Sequence, residues 1–200
     1  MLFALLAGAG LSSSSGLNAY LPILILALAD RVSSGFNLTG RFDTISSNTG
    51  IVVILLVLSV ELIGDKIARI DRMNDLLHTV IRPLMGALCF MAVASESGDL
   101  NVWVGGVLGL VIAGAVHVWK MRARPAVTDA TSGIGNPIIS VFEDVVAIVV
   151  SIASMALPLV NLLLVPAAGW LLARSYRRMA TGESNLMSML VPARNQDEQA

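Results

Sequence analysis

The chain has 200 residues, of which 56% are hydrophobic and only 14% are charged, and its formal net charge is −1. Soluble domains carry about 25% charged residues, so this composition, with a mean hydropathy of +0.78, excludes an ordinary water-soluble domain. The near-neutral charge provides no global field that would attract nucleic acid. Because Cys89 is the single cysteine, an intrachain disulfide and a cysteine-based metal cluster are also excluded.

Six apolar segments approach the length that crosses a bilayer, which is about 20 residues with a range of roughly 17–25. They cover residues 2–30, 50–66, 82–97, 102–120, 137–155 and 157–175. The sequence therefore predicts an all-α polytopic membrane bundle of about six transmembrane helices. We expect a single transmembrane domain over residues 1–178 and a polar cytoplasmic tail over 179–200.

Lysine and arginine residues cluster in alternate connections between the predicted spans. The 67–81 and 121–136 connections and the end of the last span are basic, whereas the 98–101 connection has no basic residue and carries Asp99. Cytoplasmic loops of membrane proteins are enriched in Lys and Arg. Six spans with this pattern predict that the N- and C-termini both lie in the cytoplasm.

The first apolar segment is interrupted by a run from Ser12 to Ser15 followed by Gly16, and Pro22 adds a second weak point. Backbone in hydrocarbon must satisfy its own hydrogen bonds. The serine run is therefore either a kink in one long tilted helix or the junction of two half-helices. Broken helices of the second kind mark binding sites in many transporters, and both interpretations stay open at this stage.

A tandem internal repeat relates residues of about 50–97 to residues of about 102–155. A shift of 54 positions pairs Lys66 with Lys120, Asp75 with Asp129, and Pro83 with Pro137. Each unit contains an apolar span ending in Lys, a polar loop, and an X-Pro step that opens the next helix. The two units run in the same direction, so they form parallel repeats. Repeats are common in transporters and also arise by duplication in proteins without a transport role.

Charged residues inside the predicted spans are the strongest functional lead, because a carboxylate at mid-membrane costs about 2.5–3.5 kcal/mol on insertion scales. Glu61 and Asp65 are four positions apart and share one helix face, and Lys66 follows directly. Asp65 and Lys66 fit the headgroup boundary. Glu61 lies about 16 Å from the start of its span, so a purely structural role suits it least.

The fifth span carries a second group of polar residues. Glu143 and Asp144 lie inside it, and Ser140 and Asp144 belong to one small, polar helix face. Asn136 precedes this helix, where its polar approach forms either an ordinary cap or a place for N-terminal amides to face a cavity or an anion. His117, near the inner end of the fourth span, is either a packed, hydrogen-bonded residue or a proton carrier.

These acids and His117 belong to the inner halves of three helices. Their convergence would form a carboxylate-rich cluster suited to a cation site or to proton coupling. The competing interpretation is a set of internal salt bridges with Lys66, Arg82 and Lys120. A further interpretation places the basic residues between 66 and 124 at the cytoplasmic surface, where anionic lipid headgroups attract them.

Four motifs, in this order and spacing, resemble a bacterial membrane family called domain of unknown function 4126. They are Gly16-Leu-Asn-Ala-Tyr-Leu-Pro22, Glu61-Leu-Ile-Gly-Asp65-Lys66, Arg82-Pro83 with Gly86, and Gly135-Asn-Pro-Ile-Ile-Ser140 with Glu143-Asp144. The resemblance covers roughly residues 10–178. It implies a multi-pass protein of the bacterial inner membrane and directs attention to Glu61, Asp65, Lys66, Glu143 and Asp144, and it implies no activity.

The stretch from Glu61 to Lys66 is also similar to the Glu-x-Gly-Asp-Lys motif of small Ca²⁺/Mn²⁺–proton exchangers with six helices. This sequence has two residues between Glu and Gly, where the exchangers have one. The similarity implies cation exchange and keeps a small ion among the candidate ligands.

Three functions fit these features. A small transporter or ion-coupled permease would use the repeat, the interrupted first span and the intramembrane acids. A non-transporting structural or partner-binding protein would pair every acid in a tight bundle, and a lipid-acting enzyme would need a nucleophile or metal near His78 or His117. The chain has no Walker loop, dinucleotide glycine fingerprint or His-Glu-x-x-His motif. We therefore predict no enzyme, no cofactor and no metal site, with the lipid bilayer and a small ion or solute as partners.

Overall fold

A computed structural model describes residues 1–33, 35–64 and 68–190, and within them all side chains except those of residues 64, 68–76 and 182–190. The described residues form helices and no strand, which confirms the all-α class. The α-helices are α1 (Leu2–Leu17), α2 (Leu21–Val32), α3 (Asp43–Ser46), α4 (Asn48–Gly64), α5 (Ala68–Ser97), α6 (Val102–Thr131), α7 (Gly135–Ala156) and α8 (Asn161–Leu190).

Four helical segments are long and apolar enough to cross a membrane, which supports the predicted polytopic bundle. They are Leu77–Ser97, Val102–Thr131, Gly135–Ala156 and Pro158–Thr181. A fifth span forms if Gly40–Ser46 and Asn48–Ile63, which meet at a bend of 61°, are taken together. The structure therefore has four or five candidate spans in its described part, against the predicted six. The predicted span 2–30 is absent from this set, and the predicted span 50–66 counts only when the bent pair is taken together.

The first segment consists of two helices, α1 and α2, separated by residues 18–20. The serine run is helical, because the hydroxyls of Ser13, Ser14 and Ser15 each donate to the carbonyl four residues earlier, at 2.8, 3.1 and 2.9 Å. Of the two interpretations of this segment, the junction of half-helices is thus the right one, but its predicted place in the serine run is wrong. Pro22 lies in the first turn of α2, where a helix needs no backbone donor.

The helices α1 and α2 form a hairpin that enters and leaves the bundle at the same end. At the start of α1, the amino group of Met1 contacts the carboxylate of Asp99. Beyond the end of α2, the hydroxyl of Thr39 lies 3.3 Å from that of Ser95, near the end of α5. Both ends of the pair therefore lie at the end of the bundle that carries the 98–101 connection, called the 98–101 face below.

The tip of this hairpin, residues 18–20, lies deep in the bundle. The 16 residues of α1 extend about 24 Å at 1.5 Å per residue, which passes the middle of a hydrocarbon core of about 30 Å. From Asn48 onward the remaining long helices alternate between the two faces, so the far end of α8 lies opposite the 98–101 face. The predicted arrangement with both termini on one face does not fit this geometry, because the first segment turns back at its tip.

The second helix of the first repeat unit does not begin at its proline. Pro83 lies inside α5, which begins at Ala68, and the predicted 121–136 loop is helical as far as Thr131. In the second unit Pro137 does lie in the first turn of α7, as predicted. Most described residues of the predicted polar loops are therefore helical, although both loops contain weak helix formers such as Asp and Thr.

Small residues allow the central helices to approach closely. A Cβ atom on Gly109 of α6 would lie 2.3 Å from the carbonyl oxygen of Gly86 on α5, and a Cβ on Gly16 of α1 would lie 2.6 Å from the carbonyl oxygen of Ala113 on α6. Such positions let backbones pack against one another in membrane bundles. The hairpin helix α1 is therefore held against α5 and α6 at the depth of the buried charges.

Candidate functional site

The hairpin tip is organised by Asn18, whose side chain is fully buried. Its Oδ1 accepts hydrogen bonds from the amides of Tyr20 and Leu21, at 3.1 and 3.0 Å, and so caps the N-terminus of α2. Its Nδ2 donates to Oδ1 of Asp144 on α7, at 3.0 Å. The Asn18 side chain thus stabilises the start of α2 after the break and also connects the tip to the second repeat unit.

One side of the tip is bound by Glu61 of α4, which is 1% exposed. The amide of Ala19 donates to both carboxylate oxygens of Glu61, at 3.1 Å each. Arg82 of α5 donates to the same carboxylate at 3.1 Å, and Nε2 of His78 lies 3.3 Å from it. A carboxylate at the N-terminal end of α2 is favoured by the helix dipole as well as by these donors.

His117 of α6 extends this group through Arg82. Its Nδ1 lies 3.2 Å from Nη1 of Arg82, and its Nε2 lies 3.2 Å from Oγ1 of Thr79. A guanidinium group only donates, so Nδ1 accepts and carries no proton. His117 is therefore the neutral tautomer protonated at Nε2, and it donates to the Thr79 hydroxyl.

The other side of the tip is bound by Lys120 of α6, whose Nζ donates to the carbonyl oxygen of Leu17 at 2.8 Å. Lys120 also lies 3.1 Å from Oε2 of Glu143 on α7, and Arg124 donates to the same oxygen at 2.7 Å. The hydroxyl of Tyr176 on α8 donates to Oε1 of Glu143. A cation at the C-terminal end of α1 is favoured by the dipole of that helix.

The buried network pairs charges of opposite sign. Its described side chains include the basic groups of Arg82, Lys120 and Arg124 and the carboxylates of Glu61, Glu143 and Asp144. The three basic groups are at most 2% exposed, so the headgroup interpretation is wrong for these three residues. Arg122 is exposed, and for it the interpretation stays a prediction. Arg82 lies 3.1 Å from Glu61 and Lys120 lies 3.1 Å from Glu143, as the salt-bridge interpretation expects for these two residues, whereas Lys66 lies outside the described residues. Such pairing offsets the several kcal/mol that burying either charge alone would cost.

The sequence matches the family described as "Domain of unknown function (DUF4126)" over residues 5–178. The chain belongs to this family. No curated protein and no solved structure matches it. The resemblance drawn from the four motifs is thus confirmed, and the similarity to cation–proton exchangers stays a prediction.

Four of the eight site residues singled out from the sequence of this DUF4126 chain lie in one network. Glu61, His117, Glu143 and Asp144 surround the hairpin tip through the contacts described above. Whether they form an ion site stays a prediction, since within the described residues no group of three or more His, Cys, Asp or Glu side chains is arranged to hold a metal ion.

The remaining predicted residues have different positions. Asn136 is buried at the start of α7 and accepts a hydrogen bond from Thr128 of α6, at 3.1 Å. Ser140 is fully buried, and its hydroxyl has no hydrogen-bond partner among the described atoms. Asp65 and Lys66 lie outside the described residues.

Asn18 and Tyr176 belong to the network but were not predicted from the sequence as site residues, although Asn18 lies inside the first of the four motifs. Asn18 stands in an otherwise apolar segment two residues before one of the two tyrosines and four before Pro22, and that combination of a capping residue and a proline is a signal for a helix start. Tyr176 carries no comparable signal. Its role depends on α8 packing beside α6, where its ring meets Trp119 edge-on with centroids 5.5 Å apart.

Proposed function

We propose that this DUF4126 protein is a small ion-coupled membrane transporter, with the α1–α2 hairpin and the surrounding charges as its binding and moving parts. The observation that carries the proposal is the hairpin tip, whose backbone binds Lys120 through Leu17 and Glu61 through Ala19. Non-helical backbone at membrane depth occurs where it is buried in protein or lines a cavity. Transporters use broken helices of this kind to bind solutes and coupling ions.

The charges around the tip supply a means of exchange. Lys120 and Glu61 come from different repeat units and hold opposite ends of the break. An ion of either sign enters such a network by displacing the internal partner of like charge and pairing with the group that this partner had bound. The displaced side chain is then freed, which loosens one side of the hairpin. Intramembrane acids that face the interior of a bundle serve as ion and proton relays in transporters.

The test is flux in proteoliposomes. Purified protein is reconstituted, and movement of H⁺, Na⁺, K⁺, Ca²⁺, Mn²⁺ and small anions is followed with and without an imposed proton gradient. We expect flux of at least one of these above that of protein-free vesicles. Glu61→Gln and Asp144→Asn should lower it at least about tenfold, which corresponds to roughly 1.4 kcal/mol.

Glu96→Gln is the matched control for Glu61→Gln, because Glu96 lies on α5 near the 98–101 face and outside the network. Normal flux in this variant together with loss in Glu61→Gln supports the proposal. Equal flux in all correctly folded variants would remove Glu61 and Asp144 from the mechanism. No flux of any ion in the wild-type protein would contradict transport of the ions tested.

A second candidate is a non-transporting structural or partner-binding membrane protein. The observation that favours it is that the carboxylates of Glu61, Glu143 and Asp144 all have internal partners. A buried ion-pair network of this kind can serve to specify one packing of the helices. A wild-type protein that shows no flux but still unfolds cooperatively would support this candidate.

The lipid-acting enzyme receives less support from the same geometry. A nucleophilic hydroxyl needs a base that accepts its proton. His117 contacts the hydroxyl of Thr79 but donates to it, because Nδ1 is the nitrogen that accepts from Arg82. Thr79 is therefore not activated by His117 in this arrangement.

A further inference from the structure

An apolar cleft of about 360 Å³ lies where α1, α6, α7 and α8 meet, apart from the charged network. Its lining includes Ser13 and Leu17 of α1, Trp119 of α6, and Gly169 and Leu172 of α8. The cleft thus reaches the hairpin from the outer surface of the bundle. Its size falls in the range of small-molecule sites.

The lining offers little to a polar occupant. Apart from the indole of Trp119, its polar side chains are Ser13 and Ser14. Both hydroxyls donate to carbonyl oxygens of their own helix, those of Ala9 and Gly10. Apolar cavities without free polar groups stay dry, so water and hydrophilic solutes do not fit this cleft.

The open side of the cleft continues into the surface that faces lipid. A Cβ atom on Gly169 would meet nothing within 4 Å. The residues that follow it, Trp170 and Leu171, are 59% and 45% exposed, and Val118, beside Trp119, is 42% exposed. An occupant therefore enters sideways from the hydrocarbon, between α6 and α8.

We infer that this cleft binds one acyl chain of a membrane phospholipid. Because lipid tails are as apolar as the lining, moving an acyl chain from the bilayer into the cleft removes no apolar surface from water. The favourable free energy of binding therefore comes from packing. An unfilled apolar space loses dispersion contacts on every wall, and a flexible chain restores them. The chain would contact α1 at Leu17, the residue whose carbonyl oxygen binds Lys120.

Trp119 provides a fluorescent reporter of the cleft. The other two tryptophans, Trp103 and Trp170, are changed to Phe, and the protein is placed in vesicles that contain phospholipid brominated along its acyl chains, which quenches nearby indole fluorescence. We expect brominated lipid to quench Trp119. Gly169→Phe, which fills the open side of the cleft, should lose most of that quenching.

Ala167→Phe is the matched control, because Ala167 is an exposed position on the same helix outside the cleft; its quenching should equal that of the parent. Should Gly169→Phe fail to fold, Val165→Phe fills the cleft one turn away. Equal quenching in the filled and unfilled proteins would overturn the inference. Quenching that disappears as the protein-to-lipid ratio rises would also overturn it, since a second copy of the chain would then occupy the cleft.

Discussion

Glu143 shows how single residues set the energetics of the buried network. Its carboxylate is fully buried and accepts from Lys120, Arg124 and Tyr176. Removing one partner of a buried ion pair costs about 3–5 kcal/mol, because the other charge remains uncompensated. Here a single substitution would leave two cations without their shared acid.

We therefore expect Glu143→Gln to lower the free energy of unfolding by about 3–5 kcal/mol. Tyr176→Phe removes one donor only and should lower it by about 1–3 kcal/mol. Thermal or denaturant unfolding in detergent measures both. Glu96→Gln, outside the network, should unfold like the wild type, and a Glu143→Gln protein of unchanged stability would show that the pairing does not stabilise the fold.

The residues that hydropathy singles out are those whose burial is costly. Glu61, Glu143 and Asp144 were found because a carboxylate in an apolar span stands out in the sequence. Their partners were only partly foreseen. Asn18 meets Asp144 across 126 positions of sequence, and Tyr176 meets Glu143 across 33, and no local pattern reports contacts of that range.

At the scale of helices, the break between α1 and α2 depends on a capping residue. The serine run remains helical, and the hydroxyls of Ser13, Ser14 and Ser15 bond to carbonyls within the same helix. Asn18 ends the helix because its side chain satisfies the first amides of α2. A side chain that bonds to nearby backbone amides offers the backbone an alternative to continuing the helix.

A reciprocal exchange at Asn18 and Asp144 tests this role. Asn18→Asp keeps an oxygen for the cap but places two carboxylates together, so we expect a loss of stability. Adding Asp144→Asn restores an amide donor opposite the new carboxylate and should recover most of the loss. Asn18→Ala removes the cap itself and should cost about 1–2 kcal/mol.

Unfolding of the wild type, the two single variants of this exchange and the double variant gives the coupling between the two positions. Recovery in the double variant is the expected result. If the double variant is as unstable as the sum of the single changes, the hydrogen bond between Asn18 and Asp144 does not hold the hairpin to α7.

The close contact between α5 and α6 depends on glycine residues, which have no Cβ atom. A Cβ on Gly109 would overlap the carbonyl oxygen of Gly86, whereas a Cβ on Gly114 would lie 3.6 Å from the ring of Pro83, an ordinary contact distance. Gly109→Ala should therefore cost about 1–3 kcal/mol through overpacking. Gly114→Ala is the control on the same helix and should be neutral or stabilising, and equal stability of the two variants would contradict close packing at Gly109.

At the scale of the whole molecule, the hairpin decides the topology. Because α1 enters from the 98–101 face and α2 returns to it, the N-terminus and the far end of α8 lie on opposite faces. The basic connections still predict which face is cytoplasmic. The cytoplasmic side would then hold the end of α8 but not Met1.

Cysteine labelling in intact cells tests this topology. The buried Cys89 is first changed to Ser, and single cysteines are introduced by Leu2→Cys, Ser97→Cys or Thr181→Cys. We expect a membrane-impermeant thiol reagent to label the first two from outside and the third only after the membrane is opened. If Leu2→Cys is labelled only after the membrane is opened, as Thr181→Cys is, then α1 and α2 cross the bilayer as one span.

Hydropathy and charge were enough to establish the membrane class, the helical fold and the presence of acids inside spans, because they are properties of each segment alone. The packing of the helices determined where the first segment breaks, that it returns to its own face, and which cation meets which carboxylate. These features are not local, because an apolar helix can either cross a bilayer or turn back within a bundle. Contacts such as Met1 with Asp99 and Lys120 with Leu17 select between the two.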